Sequence, residues 1–186
     1  MRFQPFVAAA AISIATFSAQ ASAVELVTNG SFETGDFTGW TQFGDTSFTG
    51  VQSGFFNENP TDGSFQAVFG PINGIGGISQ TFASAGTYTV SFDLANIDGS
   101  FSSVDFGGVN LLSGVGNSGY ISYSFTTTVG ANSVLSFSFA NQPDYYSLDN
   151  VSVTSNVPEA ATWAMLIAGF GLVGAAARRR QVALAA

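Results

Sequence analysis

The sequence predicts an all-β body, folded as a two-sheet sandwich of jelly-roll type and flanked by an apolar segment at each end. Three observations support this fold class. Apolar and polar residues alternate with a period of two in several stretches, and turn-forming residues separate those stretches. No stretch of the body has the 3.6-residue period of an amphipathic helix.

The first segment, residues 1–23, is typical of a secretory signal peptide. Arg2 supplies a positive charge, Phe6 to Phe17 is apolar, and Ala21-Ser22-Ala23 is a small-residue cleavage site. The apolar stretch is too short for a comfortable membrane span. Cleavage after Ala23 makes Val24 the mature N-terminus, and we expect export by the secretory route.

The body, residues 24–157, contains the predicted strands. Thr87–Asn96 is the clearest, because its even-numbered residues from Tyr88 to Leu94 are apolar and the intervening residues are polar. The same alternation predicts strands through Ile121–Val129, Leu135–Phe139 and Val151–Val153, and weaker patterns predict strands at Glu25–Thr28, Phe65–Phe69, Ile78–Phe82 and Val104–Phe106.

The composition of the body excludes most catalytic chemistry. The four basic residues, Arg2 and Arg178-Arg179-Arg180, lie outside it, the chain has no His or Cys, and of twelve acidic residues only Glu159 lies outside the body. Ser-His-Asp triads, Cys-His dyads, histidine-bound metals and lysine Schiff bases are therefore excluded. No motif supports the remaining option, a carboxylate pair, so we predict that the protein is not an enzyme. The anionic surface argues against nucleic acid as a partner and favours divalent cations.

The second apolar segment, residues 158–186, begins with Pro158-Glu159-Ala160. Residues 160–177 are uncharged and would span about 27 Å as a helix, enough to cross a bilayer. Arg178-Arg179-Arg180 is expected to stay cytoplasmic, and Trp163 to lie near the outer interface. We therefore predict one transmembrane helix that holds the protein in the inner membrane before processing.

These residues resemble a PEP-CTERM sorting tail of the PEPxxWA type, because Pro158, Glu159, Trp163 and the arginine triplet stand in the order and spacing of that motif. The resemblance implies processing by an exosortase, a membrane transpeptidase-like enzyme. It also implies delivery to the cell surface or extracellular matrix of a Gram-negative bacterium that makes exopolysaccharide. Ala160 stands where the family usually has Pro, which leaves the efficiency of processing open. An ordinary C-terminal membrane anchor is the alternative.

A fainter resemblance concerns the body. Leu26–Glu33 followed by Gly39-Trp40, then Tyr88–Leu94, then Ser147–Val153, is similar in order to galactose-binding-like jelly rolls, including several families of carbohydrate-binding module. The resemblance implies the fold. It also implies that Trp40 packs in the core and does not form a platform for a sugar.

The same resemblance implies a structural calcium ion where the first and last strands meet, with Glu33 and Asp149 at the matching positions. Strand alternation also places Asp149 on the face of Val151 and Val153, which we assign to the core. A carboxylate there needs compensation, the body has no cationic side chain, and Ca²⁺ suits oxygen ligands. The alternative is that backbone N–H groups bind Asp149 and that Glu33 is solvated.

Two aromatic pairs are candidate ligand contacts, Tyr145-Tyr146 before the last strand and Phe55-Phe56 before a polar turn. Adjacent residues of an extended chain point to opposite sides, so one ring of each pair can be exposed. We name Tyr145 and Tyr146 as the predicted contacts with a glycan, because sugar platforms favour rings with a polar edge. The alternative is that both pairs close the ends of the sandwich.

Two functions follow from these expectations. The first, which we favour, is a non-catalytic surface or matrix protein associated with exopolysaccharide or biofilm. The second is a carbohydrate-binding module that recognises a particular glycan. No cofactor is expected apart from structural calcium.

Overall fold

The computed structural model describes residues 23–55, 58–97, 100–140, 145–155, 166–174 and 178. The body, Ala23–Val157, forms one compact unit, and the C-terminal residues belong to another. The described part of the body contains ten strands: β1 (Thr41–Gly44), β2 (Gly50–Gln52), β3 (Gln66–Phe69), β4 (Gly76–Phe82), β5 (Gly86–Ile97), β6 (Phe101–Phe106), β7 (Val109–Ser113), β8 (Ser118–Val129), β9 (Ser133–Ala140) and β10 (Tyr145–Ser155).

These strands form two antiparallel sheets of five strands each. The first sheet has the order β1-β4-β9-β6-β7 and the second has the order β2-β3-β10-β5-β8. Consecutive strands such as β3 and β4, or β9 and β10, lie in different sheets, so the chain crosses repeatedly between the two layers. The predicted all-β, two-sheet jelly roll is confirmed.

The core lies between the sheets and is largely aromatic. Phe92 on β5 meets Phe137 on β9 edge to face, with ring centroids 5.1 Å apart, and Phe69 on β3 stacks on Phe139 on β9 at 4.6 Å. None of these four rings is more than 1% exposed. Since the chain has no cysteine, the burial of such side chains, about 1.5–3 kcal/mol each, holds the two layers together.

Trp40 is confirmed as a core residue. It is 8% exposed, its ring lies 6.0 Å from that of Phe137, and its Nε1–H donates to the carbonyl oxygen of Asn29 at 3.0 Å. The segment that precedes β1 therefore closes the sandwich with an indole whose polar atom has a partner.

The strands predicted from clean alternation are confirmed in β5, β8, β9 and β10, and the three weaker stretches from Phe65 to Phe106 overlap β3, β4 and β6. The predicted strand Glu25–Thr28 is wrong, because only Glu25 makes an isolated bridge, with Thr154. The Glu25 carboxylate accepts hydrogen bonds from the next two backbone N–H groups, which competes with a strand ladder. β1, β2 and β7 were not predicted because they have four, three and five residues, too few for a recognisable period.

A β-bulge in β10 decides where Asp149 points. The pairing register with β5 shifts between Asp149 and Ser152, and Asn150 has a φ of 50°. Leu148 and Val151 both belong to the core, so Asp149 projects from the opposite face. The prediction that Asp149 shares the core face of Val151 is therefore wrong, because one extra residue in a strand inverts the alternation.

In the C-terminal part of the chain, residues 166–174 form an exposed helix, and Arg178 is helical and exposed. Within the described ranges, no helix is long and apolar enough to cross a membrane. The predicted signal peptide up to residue 22, and Pro158, Glu159, Trp163, Arg179 and Arg180 of the sorting motif, lie outside the described residues.

Candidate functional site

The outer face of the second sheet, which points away from the core, is buried over much of its area. Its side chains alternate with core residues along β3, β5 and β10, and those that are at most 7% exposed are Gln66, Val68, Asp93, Ala95, Ser147 and Asp149. Residues of the loop that joins β2 to β3, residues 53–65, contact several of them. We call this segment the covering loop.

The carboxylate of Asp149 binds main-chain N–H groups of the covering loop. The N–H groups of Thr61 and Asp62 donate to Asp149 Oδ2 at 2.7 and 2.9 Å, and the N–H of Asn150 donates to Oδ1 at 2.7 Å. Burial raises the pKa of Asp149, and these backbone donors oppose the rise because they stabilise the carboxylate. Dipoles of the main chain therefore compensate a carboxylate that is 0% exposed.

Asp93 on β5 belongs to the same network. The Thr61 hydroxyl donates to Asp93 Oδ2 at 2.7 Å and lies 3.2 Å from Asp149 Oδ2. The side chains of Ser122 and Asn150 also donate to Asp93. Two carboxylates on neighbouring strands thus share one hydroxyl group, which lies between them.

Glu33 binds the far end of the covering loop. Its Oε1 accepts hydrogen bonds from the N–H groups of Ser64 and Phe65, each at 2.7 Å. Gly63 has a φ of 70°, and a Cβ at this position would lie 2.3 Å from the carboxyl carbon of Glu33. The close approach of this carboxylate therefore requires glycine at the turn.

Glu33 and Asp149, the predicted calcium ligands, bind opposite ends of one short stretch of the covering loop. Their hydrogen-bonded oxygens face N–H donors, whose positive ends take the place that a cation would need. Across the described ranges, no group of three or more Asp, Glu, His or Cys side chains is arranged to hold a metal. This hydrogen-bonded arrangement of Glu33 and Asp149 does not fit a calcium ion. The calcium site predicted from the sequence is therefore set against it in the unfolding measurement of the Discussion.

Gln66 on β3 links the covering loop to Tyr120 on β8. The Tyr120 hydroxyl donates to Gln66 Oε1 at 2.7 Å, and Gln66 Nε2 donates to the carbonyl oxygen of Glu58 in the covering loop at 3.3 Å. Burial raises the pKa of Tyr120, and the carboxylates of Asp149, Glu58 and Asp93 raise it further. The phenol therefore stays protonated and serves as a hydrogen-bond donor.

An aromatic cluster lies on the same outer face, at the start of β10. The rings of Tyr145 and Phe55 meet edge to face with centroids 4.7 Å apart. A Cβ on Gly70 would lie 2.5 Å from Tyr145 Cε1 and 3.0 Å from the Cβ of Phe48. Phe48 is 63% exposed. We call Phe48, Phe55 and Tyr145 the aromatic cluster: Phe48 and Tyr145 lie next to Gly70, and Phe55 packs on Tyr145. The cluster brings together one member of each predicted aromatic pair.

The structure separates the two predicted ligand contacts. Tyr146 is 1% exposed, its ring lies 4.8 Å from that of Phe139, and burial raises its pKa. The prediction of Tyr146 as a ligand contact is therefore wrong, because the side chain that alternates with Tyr145 fills the core. Tyr145 is partly exposed, and Phe56 lies outside the described residues. Phe48 was missed, since a lone Phe in a polar loop gives no pattern.

Asp45 fixes the loop that carries Phe48. Its carboxylate accepts hydrogen bonds from the N–H groups of Ser47 at 2.9 Å and Asn73 at 2.7 Å. The Ser47 hydroxyl and these N–H groups hold the pKa of Asp45 below its ordinary value. Residues 45–49 are thus tied to residues 70–75, which carry the exposed side chains of Ile72 and Ile75.

The C-terminal segment matches the PEP-CTERM protein-sorting motif over residues 156–180. The motif indicates an exported protein of a Gram-negative bacterium that is sorted through the membrane, and it implies processing by an exosortase. No curated protein sequence matches the chain.

The body is similar in fold to several solved structures. TmCBM61 in complex with β-1,4-galactotriose is 20% identical, with a TM-score of 0.60 over 72% of this chain and 99% of that chain. The CBM22-1–GH10 modules of Clostridium thermocellum xylanase 10B, complexed with xylohexaose, are 15% identical, with a TM-score of 0.53 over 73% of this chain and 29% of that chain. The enzymatically active domain of tailspike protein 4 from bacteriophage CBA120 is 19% identical, with a TM-score of 0.51 over 68% of this chain and 21% of that chain.

Carbohydrate-binding modules are the commonest kind among these similar structures, and one similar structure is an enzyme domain. At these identities the likeness shows the fold alone. The chain thus carries a PEP-CTERM protein-sorting motif at residues 156–180, behind a two-sheet jelly roll that is similar in fold to carbohydrate-binding modules.

Proposed function

We propose that this protein is an exported, non-catalytic protein whose body binds an extracellular polysaccharide through the aromatic cluster. The observation that carries the proposal is that Phe48, which is exposed, and Tyr145, which is partly exposed, both lie next to Gly70. Aromatic faces pack against the C–H groups of sugar rings, and the Tyr145 hydroxyl adds a polar edge. TmCBM61, which shares the fold, was solved with a galactotriose.

The charge of the body favours a neutral glycan. Eleven carboxylates and no basic side chain lie between residues 24 and 157. Such a surface repels polymers that carry uronate, sulfate or phosphate groups. A neutral polysaccharide meets no such repulsion, so the proposed ligand is an uncharged extracellular glycan, and the proposed location is the cell surface or matrix.

The surroundings of the Asp93 and Asp149 carboxylates support a non-catalytic role. A glycosidase needs two carboxyl groups that reach the scissile bond and a water molecule. Here Thr61 lies between the two carboxylates, and backbone N–H groups bind Asp149, which is 0% exposed. The pair therefore serves to hold the covering loop.

Glycan binding is tested by array screening and affinity electrophoresis with neutral and anionic polysaccharides. Tyr145→Ala and Phe48→Ala should each weaken binding to a neutral glycan by about tenfold or more. Phe101→Ala, at a partly exposed phenylalanine of β6 in the first sheet, is the matched control and should bind as the unmodified protein does. Equal binding by all variants would contradict the proposed site. The absence of any selective glycan binding would favour a purely structural matrix protein.

Sorting is tested by intact mass spectrometry of the protein recovered from the surface or medium of its host. The mature chain should start at Val24 and lack Arg178 to Ala186. If surface-exposed protein retains the arginine triplet, the C-terminal segment is an ordinary membrane anchor and not a processed sorting tail.

A further inference from the structure

The two sheets protect their edges unequally. Three edge strands are short, since β1 has four residues, β2 has three and β7 has five. The fourth, β8, has twelve residues and, among the described strands, pairs only with β5. A long unpaired edge presents a row of N–H and C=O groups that another strand can bind.

β8 also lacks the features by which soluble proteins block pairing at an edge. Ser118–Val129 contains no charged residue and no proline, although the body carries eleven carboxylates. Its pairing with β5 is regular from Ile121 to Val129, and the register shifts only opposite Leu94 and Asn96. Two copies of this edge would therefore meet with no charged side chain of β8 itself between them and, over most of their length, with no bulge.

The side chains of β8 suit a second copy of the same strand. Its outer face is a row of hydroxyl groups, in which Thr128 and Thr126 already bond to Thr87 and Thr89 of β5 at 2.8 and 3.3 Å. On its inner face the rings of Tyr123 and Phe125 stack at an interplanar angle of 7° and stay partly exposed. An antiparallel neighbour would extend both rows, hydroxyl against hydroxyl and aromatic against apolar.

We propose that β8 is a self-association edge, at which two copies of the protein pair β8 antiparallel to β8 and join their second sheets into one continuous sheet. Such a contact is isologous, so each row of side chains meets itself about a two-fold axis. Full overlap would form about twelve main-chain hydrogen bonds. The sorting tail concentrates copies at one membrane surface, which favours this contact further. The inference does not depend on glycan binding.

A cysteine scan tests the pairing, because the chain has no cysteine of its own. Single substitutions are made along the outer face of β8 in the full-length chain in detergent: Ser122→Cys, Ser124→Cys, Thr126→Cys and Thr128→Cys. Thr81→Cys, an exposed position on β4 in the first sheet, is the control. Under mild oxidation, disulfide-linked dimers should peak at the position nearest the two-fold axis and stay low at Thr81→Cys. Yields on β8 no higher than the control would overturn the proposal.

Sedimentation provides an independent measurement. The full-length chain should sediment as a dimer, and the double variant Ser124→Lys, Thr126→Lys should shift to a monomer, since like charges opposite each other oppose strand pairing. Thr81→Lys adds one exposed charge away from β8 and should remain dimeric. A monomeric unmodified chain, or a Lys double variant that stays dimeric, would refute self-association through β8, whereas glycan binding should persist in every variant.

Discussion

Substitution of Asp149 gives the sharpest test of how the covering loop is held. The carboxylate accepts N–H bonds from Thr61 and Asp62 at Oδ2 and from Asn150 at Oδ1. Asp149→Ala removes every acceptor. Asp149→Asn keeps one oxygen, which can stay with Thr61 and Asp62, and sets its NH₂ group against the single N–H of Asn150.

The expected losses follow from these counts. A net contribution of about 1 kcal/mol per hydrogen bond gives a loss of about 3 kcal/mol for Asp149→Ala, which the removal of a buried charge reduces to about 2 kcal/mol. Asp149→Asn should cost about 1 kcal/mol. At roughly 4 °C per kcal/mol for a domain of this size, the unfolding midpoint should fall by about 8 °C in Asp149→Ala and by about 4 °C in Asp149→Asn. Asp36→Asn, at an exposed carboxylate that accepts hydrogen bonds from Thr34 and Thr38, should have a smaller effect than either.

The assay is thermal unfolding of the full-length chain followed by circular dichroism, in EDTA and in excess calcium. The hydrogen-bonded arrangement predicts the same midpoint in both buffers. A calcium ion bound at a hundred times its dissociation constant would add about 2.7 kcal/mol. If calcium raises the unfolding free energy by that amount and the rise is lost in Asp149→Asn, our reasoning is refuted and the calcium site predicted from Glu33 and Asp149 is established. A loss in Asp149→Asn as large as in Asp149→Ala would also contradict it.

The pH dependence of the Asp149→Asn effect has a definite sign. Burial raises the folded-state pKa of Asp149 above its ordinary value. Its contribution to stability is therefore fully present below the ordinary aspartate pKa and is lost as the pH rises through the folded-state pKa. The difference in unfolding free energy between the unmodified chain and Asp149→Asn should consequently be larger in acid than at neutral pH.

Two further predictions concern the aromatic cluster. Gly70→Ala should lower the unfolding free energy by about 1–3 kcal/mol and weaken glycan binding, because the new Cβ would lie 2.5 Å from the Tyr145 ring. Gly50→Ala is the control, because a Cβ at Gly50 would have no atom within 4 Å apart from its chain neighbours. An equal response of the two variants would count against the packing argument. Acid should weaken glycan binding, because the Asp45 carboxylate holds the loop of Phe48 through hydrogen bonds from neighbouring N–H groups. The pKa of Asp45 is lowered in the fold, so the stability that these hydrogen bonds contribute is present above the ordinary aspartate pKa and is lost as the pH falls through the folded-state pKa. Asp45→Asn should bind with little dependence on pH in that range, and an unchanged acid response would contradict the role of Asp45.

Much of the fold could be predicted because its longest strands alternate cleanly. Phe92 and Phe137 lie on such strands, and both face the core as expected. The short edge strands could not be predicted, since three to five residues hold too little of a two-residue period. Asp149 was placed on the wrong face because the bulge near Asn150 depends on how β10 pairs with β5, and no pattern in the sequence predicts it.

The candidate site was only partly predictable for the same reason. Adjacent aromatic residues had to separate between core and surface, but which of Tyr145 and Tyr146 would be buried depends on the register of β10 against β3. Phe48 and Gly70 lie more than twenty residues apart in sequence and become neighbours only when β2 and β3 pair. Contacts of this range are formed by the fold and leave no local signal.

The sequence by itself determined the sorting motif, the absence of basic, histidine and cysteine chemistry from the body, and the two-sheet class, whereas the signal peptide stays a prediction. Composition, short motifs and alternation are local properties that do not depend on how the chain folds back on itself. The tertiary structure alone decided that backbone N–H groups of the covering loop bind Glu33 and Asp149, that Tyr145 joins Phe48 and Phe55, and that β8 is left as a long edge. Those outcomes depend on which distant segments meet, since burial and hydrogen bonding are settled by partners that are remote along the chain.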